Sequence, residues 1–326
     1  MTIARQACVC ITGGAGFIGS HLADALVGRG VRVRVLDNLS TGDIRNLNGV
    51  RERIEFIDGS ILDDSSLDRG LSGADTVFHL AAYVSAPGSV KEPLACHEVN
   101  STGTLRVLEA CQRNGVRRIV LASSAAVYGD SETVPKIEDQ PILPCSVYAQ
   151  SKAAGEQLLR VWNHCHGLEA VSLRFFNVFG PRQTAGSAYA AAIAAFADAL
   201  LSGRPITIFG DGQQTRDFVP VANIVQGLIK AAEWAGPAKA DVFNLGLGEK
   251  IKIRELASLM AGIVGAPDEP KFLPARPGDV KHSCSDISAA RSALGYSPAV
   301  SVEQGLKETL AWYREVLRKT GPTKAS

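Results

Sequence analysis

Residues 7–12 form a short apolar run, and Gly13, Gly16 and Gly19 follow it at once in Thr-Gly-Gly-Ala-Gly-Phe-Ile-Gly, opening an amphipathic stretch over 16–28. This spacing constrains the fold more than any other feature of the chain. The first glycine permits a tight turn, the second lets backbone approach a pyrophosphate, and the third lets a helix pack closely on its strand. A helix starting here, with Phe17 and Ile18 in its first turn, offers free N–H groups and a positive dipole end to phosphates. The expected unit is strand–turn–helix in a parallel sheet, with a dinucleotide on the turn. Asp37 closes the next apolar run, about 20 residues past the glycines, where a carboxylate accepts from a ribose 2′-OH. It would repel a 2′-phosphate, so NAD is expected rather than NADP. Asn38 follows it, and no arginine comes directly after.

The first half continues in the same alternation. Strands are expected at 31–36, 54–57, 76–80, 118–122 and 170–175, with long helices at 93–113 and 146–166. Beyond residue 180 the alternation fades. A short strand at 206–209, a helix at 219–234, a further sheet strand at 241–245 and helices at 253–264, 287–294 and 302–319 complete the reading. The fold class is α/β: a Rossmann doubly wound parallel sheet with a smaller C-terminal α/β substrate-binding domain. The expected boundaries are 1–175 for the NAD-binding domain, with 217–248 returning to it. Residues 176–216 and 249–326 form the second domain.

Across 326 residues the formal charge is +1, and no basic block stands out. That balance argues against nucleic acid or an anionic membrane as a partner. No apolar run approaches the roughly 18–20 residues of a membrane span. The seven cysteines form no Cys-x-x-Cys pair. Cys8 and Cys10 read as buried strand thiols, no metal site is expected, and a reducing cytoplasm without a leader segment fits best.

Chemistry is announced by Tyr148 and Lys152, four apart in Val-Tyr-Ala-Gln-Ser-Lys, with Ser124 upstream in Leu-Ala-Ser-Ser-Ala-Ala. On a helix, positions i and i+4 share a face. An ammonium beside the phenol, together with the positive nicotinamide of a bound cofactor, would bring the phenol down from its usual value near 10. Ser124 would share a substrate hydroxyl proton with it.

Taken in order, the glycine turn, Asp37, His79-Leu-Ala-Ala82, Asn100, Ser124 and Tyr148/Lys152 make the chain resemble the extended short-chain dehydrogenase/reductases. More narrowly, it resembles their NAD-dependent nucleotide-sugar epimerases, from about Cys8 to about Tyr313. The resemblance implies that Ser60 and Ile61 flank the adenine, although the family usually carries Asp where Ser60 stands. It implies that Leu80, Ala81 and Ala82 line the cofactor, that Asn100 supports it, and that Lys152 binds the nicotinamide ribose. In the second half, Asn177 matches a diphosphate contact, Arg216 a phosphate-binding arginine, and Arg276 with Asp279 the pair holding phosphate and uridine ribose. Guanidinium groups suit a diphosphate, and a carboxylate suits a ribose diol.

The two positions after Ser124 bear on the reaction. Relatives that eliminate water resemble one another in carrying Asp-Glu there, and decarboxylases typically carry Glu at the second. This chain has Ala125 and Ala126, neither of which can move a proton, so C4 epimerisation is expected. Ser283 falls where glucose-only epimerases tend to have Tyr, and its small size leaves room for an acetamido group; the lesser alternative is a cap on the helix that begins near Asp286. Ser85, Ala188, Tyr189 and Ala191 match the pocket of epimerases acting on UDP-N-acetylglucosamine, whereas Gly88 stands where these often have Arg. The expected substrates are the UDP-N-acetylhexosamines and UDP-glucose/UDP-galactose. A UDP-uronic acid such as UDP-glucuronate is the alternative, with Arg182 or Lys281 meeting its carboxylate. An NAD(H)-sensing binding protein is opposed by Tyr148 and Lys152, and an NADP-dependent ketone reductase by Asp37. Helices 93–113 and 146–166 match those of a four-helix dimer interface, so a homodimer is expected.

Overall fold

In the computed structural model, which describes residues 3, 7–183, 192–236, 240–275 and 281–320, the first half alternates strand and helix. β1 (Cys8–Thr12), α1 (Phe17–Gly28), β2 (Arg32–Asp37), β3 (Ile54–Asp58), α2 (Asp64–Leu71) and β4 (Thr76–His79) come first. They are followed by α3 (Ala86–Lys91), α4 (Pro93–His97), a π-helical turn over Glu98–Thr102 and α5 (Gly103–Arg113). β5 (Arg118–Ser124), α6 (Val147–His166) and β6 (Glu169–Phe175) complete this half.

The second half has shorter elements. These are β7 (Asn177–Phe179), α7 (Ala192–Leu201), β8 (Thr207–Phe209), β9 (Thr215–Arg216), β10 (Phe218–Pro220) and α8 (Val221–Glu233). Then come β11 (Asp241–Leu245), β12 (Ile251–Lys252), α9 (Ile253–Val264), β13 (Lys271–Leu273), α10 (Ser288–Leu294) and α11 (Val302–Thr320).

Seven strands form one sheet in the order β11-β6-β5-β4-β1-β2-β3, and every pairing is parallel. Parallel strands need both faces covered, which explains why all five residues of β1 are buried. Val9 and Ile11 face one side with Phe78, Val120 and Leu173, while Cys10 faces the other with Leu36, Val77 and Ile119. The strand order reverses between β1 and β4, and the carboxyl ends there open the crevice in which such sheets bind ligands. The core on the Val9 side runs without a break into the second half, through Ile193, Phe196, Leu256, Leu306 and Leu310.

The sheet strands fall close to where the apolar runs place them, including β11 on the far side of β6. The expected helix over 93–113 is interrupted, because its middle widens into the π-turn around Asn100. Helices α2 and α7 and the short pairs β7–β10, β8–β13 and β9–β12 were not anticipated. All seven cysteines are free, with Cys8 and Cys10 buried as expected. No helix among the described residues is long and apolar enough to cross a membrane.

Candidate active site

The glycine turn lies at the carboxyl end of β1. Gly13 sits at φ 71°, where an added Cβ would also come within 2.6 Å of the Ala81 backbone N. A Cβ on Gly19 would meet the Gly13 carbonyl oxygen at 2.3 Å. Only bare backbone fits this approach. Helix α1 starts with Gly16 as a cap that has no side-chain hydrogen bond, and its first turn carries no acidic residue. Its N-terminal N–H groups are therefore left for an anion, with Phe17 and Ile18 half-buried beside them.

Asp37 is buried at the end of β2. Its Oδ2 accepts from Ala15 N–H at 2.9 Å and its Oδ1 from Leu39 N–H at 2.8 Å. Burial raises its pKa, the two backbone bonds oppose the rise, and nearby Asp58 adds to it. The carboxylate thus fastens the glycine turn to β2 while keeping further lone pairs. Asn38 is exposed, and its side chain accepts from Ser40 N–H at 3.2 Å. The Ser60 hydroxyl oxygen accepts from Leu62 N–H at 3.1 Å, and Ile61 is buried. Leu80, Ala81 and Ala82 form a half-buried strip leaving β4.

Beneath that strip lies a directed hydrogen-bond chain. The Thr104 hydroxyl donates to Asn100 O at 2.6 Å, so it must accept from His79 Nε2–H at 3.0 Å. Nδ1 of His79 then accepts from the Thr12 hydroxyl at 2.7 Å, and Thr12 in turn accepts from Ala81 N–H. Only a neutral imidazole satisfies every member. Burial, aided by the charge on Lys152, lowers the His79 pKa to about 3. Asn100 is similarly engaged: Oδ1 accepts from Tyr83 N–H at 2.7 Å, and Nδ2 donates to Tyr83 O and to Ser151 Oγ. Both amide hydrogens serve the protein, and Oδ1 keeps one further lone pair.

Ser124 ends β5, Tyr148 lies in the first turn of α6, and Lys152 follows one turn later, so the fold brings all three together. The Ser124 hydroxyl stands beside the Tyr148 phenol, and its Oγ accepts from Ala126 N–H at 3.1 Å. Burial pushes the phenol above its usual range, the neighbouring Ser124 hydroxyl draws it partly back, and the Cys96 thiol adds to the rise. Lys152 lies on the same face of α6 as the phenol. Its Nζ donates to Ala122 O at 2.9 Å and lies 5.9 Å from the Tyr148 ring centroid. Burial lowers Lys152 itself to about 8, leaving it largely protonated at neutral pH. Ala125 and Ala126 follow in a single 3₁₀ turn and carry no proton.

The second half contributes a separate recess. A cavity of about 270 Å³ is lined by Asn177, Phe196, Phe209, Gln214, Arg216 and Phe218, among others. Two of the predicted substrate residues, Asn177 and Arg216, therefore share one pocket. Its aromatic walls were not foreseen, though their clustering around the turn at 210–212 was visible in the sequence. Buried Asp217 was also missed. It accepts from the backbone N–H of Leu247, Gly248 and Ser285 and from the Ser285 hydroxyl, so one carboxylate ties three segments together. Ser283 is fixed nearby through its N–H to Thr215 O at 3.0 Å. Ser85 caps α3, taking the Gly88 N–H at 2.9 Å. A Cβ on Gly88 would come within 2.7 Å of both the Ser85 and Tyr83 oxygens, so a larger residue there would displace them. Arg182 is bound to Asp24 at 2.7 Å, and Lys281 is exposed. Ala188, Tyr189, Ala191, Arg276 and Asp279 lie outside the described residues.

The chain matches the NAD dependent epimerase/dehydratase family over residues 9–246. It is 40% identical to the UDP-glucose 4-epimerase of Mycolicibacterium smegmatis, over 93% of this chain and 97% of that protein. Its fold superposes on the UDP-N-acetylglucosamine 4-epimerase of Methanobrevibacter ruminantium M1, in complex with UDP-N-acetylmuramic acid, with a TM-score of 0.91 and 39% identity. That likeness covers 97% of this chain and 100% of the other. The UDP-glucuronic acid 4-epimerase of Bacillus cereus, solved with UDP-glucuronic acid and NAD, gives 0.87 at 32% identity, over 95% and 99% of the two chains.

Proposed function

The chain belongs to the NAD dependent epimerase/dehydratase family, an NAD-dependent enzyme with a Rossmann sheet, and we propose that it inverts C4 of a UDP-sugar through a 4-keto intermediate. The reading rests most on one observation: the fold sets Ser124 beside the Tyr148 phenol with Lys152 one turn on, while the adjacent Ala125 and Ala126 offer no further acid or base. NAD, when bound, supplies the acceptor and then the donor of the C4 hydride. Gly13, Gly16, Phe17, Ile18 and Gly19 would hold its pyrophosphate, and Asp37 its ribose. The Lys152 ammonium, with the positive nicotinamide of bound NAD, would offset the burial that raises the Tyr148 phenol. As phenolate, Tyr148 would take the C4 hydroxyl proton through or beside Ser124 and return it once the opposite face is presented. Lys152 keeps a cation beside that exchange. Asn177 and Arg216 hold the diphosphate in the aromatic recess, with Arg276 and Asp279 completing the nucleotide site, so the keto sugar can turn without leaving.

The test is to incubate the purified protein, without added NAD, with UDP-glucose, UDP-N-acetylglucosamine and UDP-glucuronate, and to assay each for its C4 epimer. Products from the first two are expected; no product from any would defeat the reading. Glucuronate alone would favour the alternative, which the likeness to the Bacillus cereus enzyme brings forward and the engagement of Arg182 by Asp24 opposes. Ser283 is proposed to admit the acetamido group. Ser283→Tyr should cost kcat/KM about 10- to 100-fold on N-acetylated substrates and far less on glucose. Equal losses on both would remove it from that role.

Residues 1–175 with 217–248 are proposed as the NAD-binding domain, and the remainder as the sugar-nucleotide domain. A cytoplasmic homodimer is proposed as well. Exposed Leu94 on α4 and Val161 on α6 support it, because they leave apolar side chains on the two helices expected to pair.

A further inference from the structure

Helix α6 begins at Val147 with Ser146 as its cap, and the Ser146 hydroxyl takes the Ala149 N–H. The Tyr148 N–H is one of those that helix geometry leaves without an intrahelical partner. It is served from another element: Ser89 Oγ, on α3, accepts it at 3.0 Å. Ser89 is fully buried, and its own hydroxyl hydrogen goes to Ala86 O at 2.7 Å. With that hydrogen occupied, the oxygen turns its lone pairs to Tyr148 and acts as a fixed acceptor. The Tyr148 carbonyl is held too, receiving the Ser151 hydroxyl at 2.8 Å while Ser151 receives Asn100 Nδ2 at 3.0 Å. Both backbone polar groups of this residue are therefore tied to side chains.

We propose that Ser89 is a positioning residue for Tyr148, fixing where the phenol stands by holding its backbone N–H and linking the short helix α3 to the start of α6. The proposal rests on the reading of Tyr148 as the proton carrier. Displacement of a reacting group by about 1 Å can cost on the order of 100-fold in rate. The same short helix carries Ser85 and Gly88, so the segment proposed to border the sugar also sets the position of the tyrosine. Substrate affinity and NAD retention depend on other residues, which separates this role from a general structural one.

Ser89→Ala is expected to lower kcat about 10-fold or more, with KM for the UDP-sugar within about twofold and bound NAD unchanged. Substrate deuterated at C4 should show a larger isotope effect on kcat than with the unaltered protein, because hydride transfer becomes slower relative to binding and release. A kcat within twofold of the starting protein would overturn the proposal, as would a loss appearing in KM or in NAD content instead. Should Ser89→Ala fail to fold, Ser89→Cys keeps the volume with a weaker acceptor. It should lose about threefold or more in kcat at constant KM, and an unchanged kcat would again overturn the proposal. Tyr148→Phe run in parallel separates the two ideas: if it stays active, the role of Tyr148 fails. If it is inactive while both Ser89 variants turn over normally, only the positioning role fails.

Discussion

Tyr148→Phe should lower turnover by about 10²- to 10⁴-fold while the protein stays folded and keeps its NAD. The ring keeps its volume, and the backbone bonds to Ser89 and Ser151 do not involve the phenol. Lys152 remains on the Ala122 carbonyl, and Ser124 still accepts from Ala126 N–H. What disappears is the titratable oxygen that stands beside Ser124. Ala125 and Ala126 beside it carry no proton, and the Tyr128 hydroxyl that ends the same turn is taken up by Asn244 and Arg174. Steady-state turnover, bound NAD by absorbance and thermal melting form the set of measurements. Turnover at the unaltered rate would remove the phenol from the chemistry.

The largest expected effect on stability comes from Glu156→Ala. Glu156 lies one turn beyond Lys152 on α6, fully enclosed, and its two oxygens take Nε and Nη2 of buried Arg174 at 2.9 and 2.8 Å. The Ser123 hydroxyl adds a third bond at 2.5 Å. Arg174 also donates to the Tyr128 hydroxyl and to Glu138 O, and Tyr128 goes on to Asn244. Removing the carboxylate leaves a guanidinium buried without its counter-ion, a change that costs about 3–5 kcal/mol. The melting temperature should fall by roughly 10 °C. A fall of less than about 2 °C would mean that water or a rearranged side chain compensates the arginine. Ser123 neighbours Ser124, so the same network also pins β5 to α6 next to the proposed proton exchange.

Much of the sheet was legible because its strands are short apolar runs with a glycine turn to set their direction. Asp37, Ser124, Tyr148 and Lys152 were readable as a set because their spacing follows from that one topology. Other features depend on partners far away in sequence. The π-turn exists in company with Asn100, whose amide reaches Tyr83 and Ser151, 17 and 51 residues distant. Asp217 gains its meaning only when Leu247, Gly248 and Ser285 arrive. Helix α7, Ala-Ile-Ala-Ala-Phe-Ala-Asp-Ala-Leu-Leu, is apolar on nearly every side and so shows no amphipathic stripe. The second engagement of Lys152 was hidden in the same way. Helical spacing places its ammonium on the face of Tyr148, but only the fold shows that one of its three hydrogens goes to the Ala122 carbonyl of β5.

His79 stands close to this chemistry, and the side chain that ordinarily titrates near neutrality would be the natural suspect for any inflection seen around pH 6.5. Burial and the charge on Lys152 lower its pKa to about 3, and the Thr12 hydroxyl occupies its unprotonated Nδ1. Across the range in which a rate profile is ordinarily recorded, this histidine is kinetically silent, a fixed polarity rather than a buffer. An inflection there has to be charged to another group.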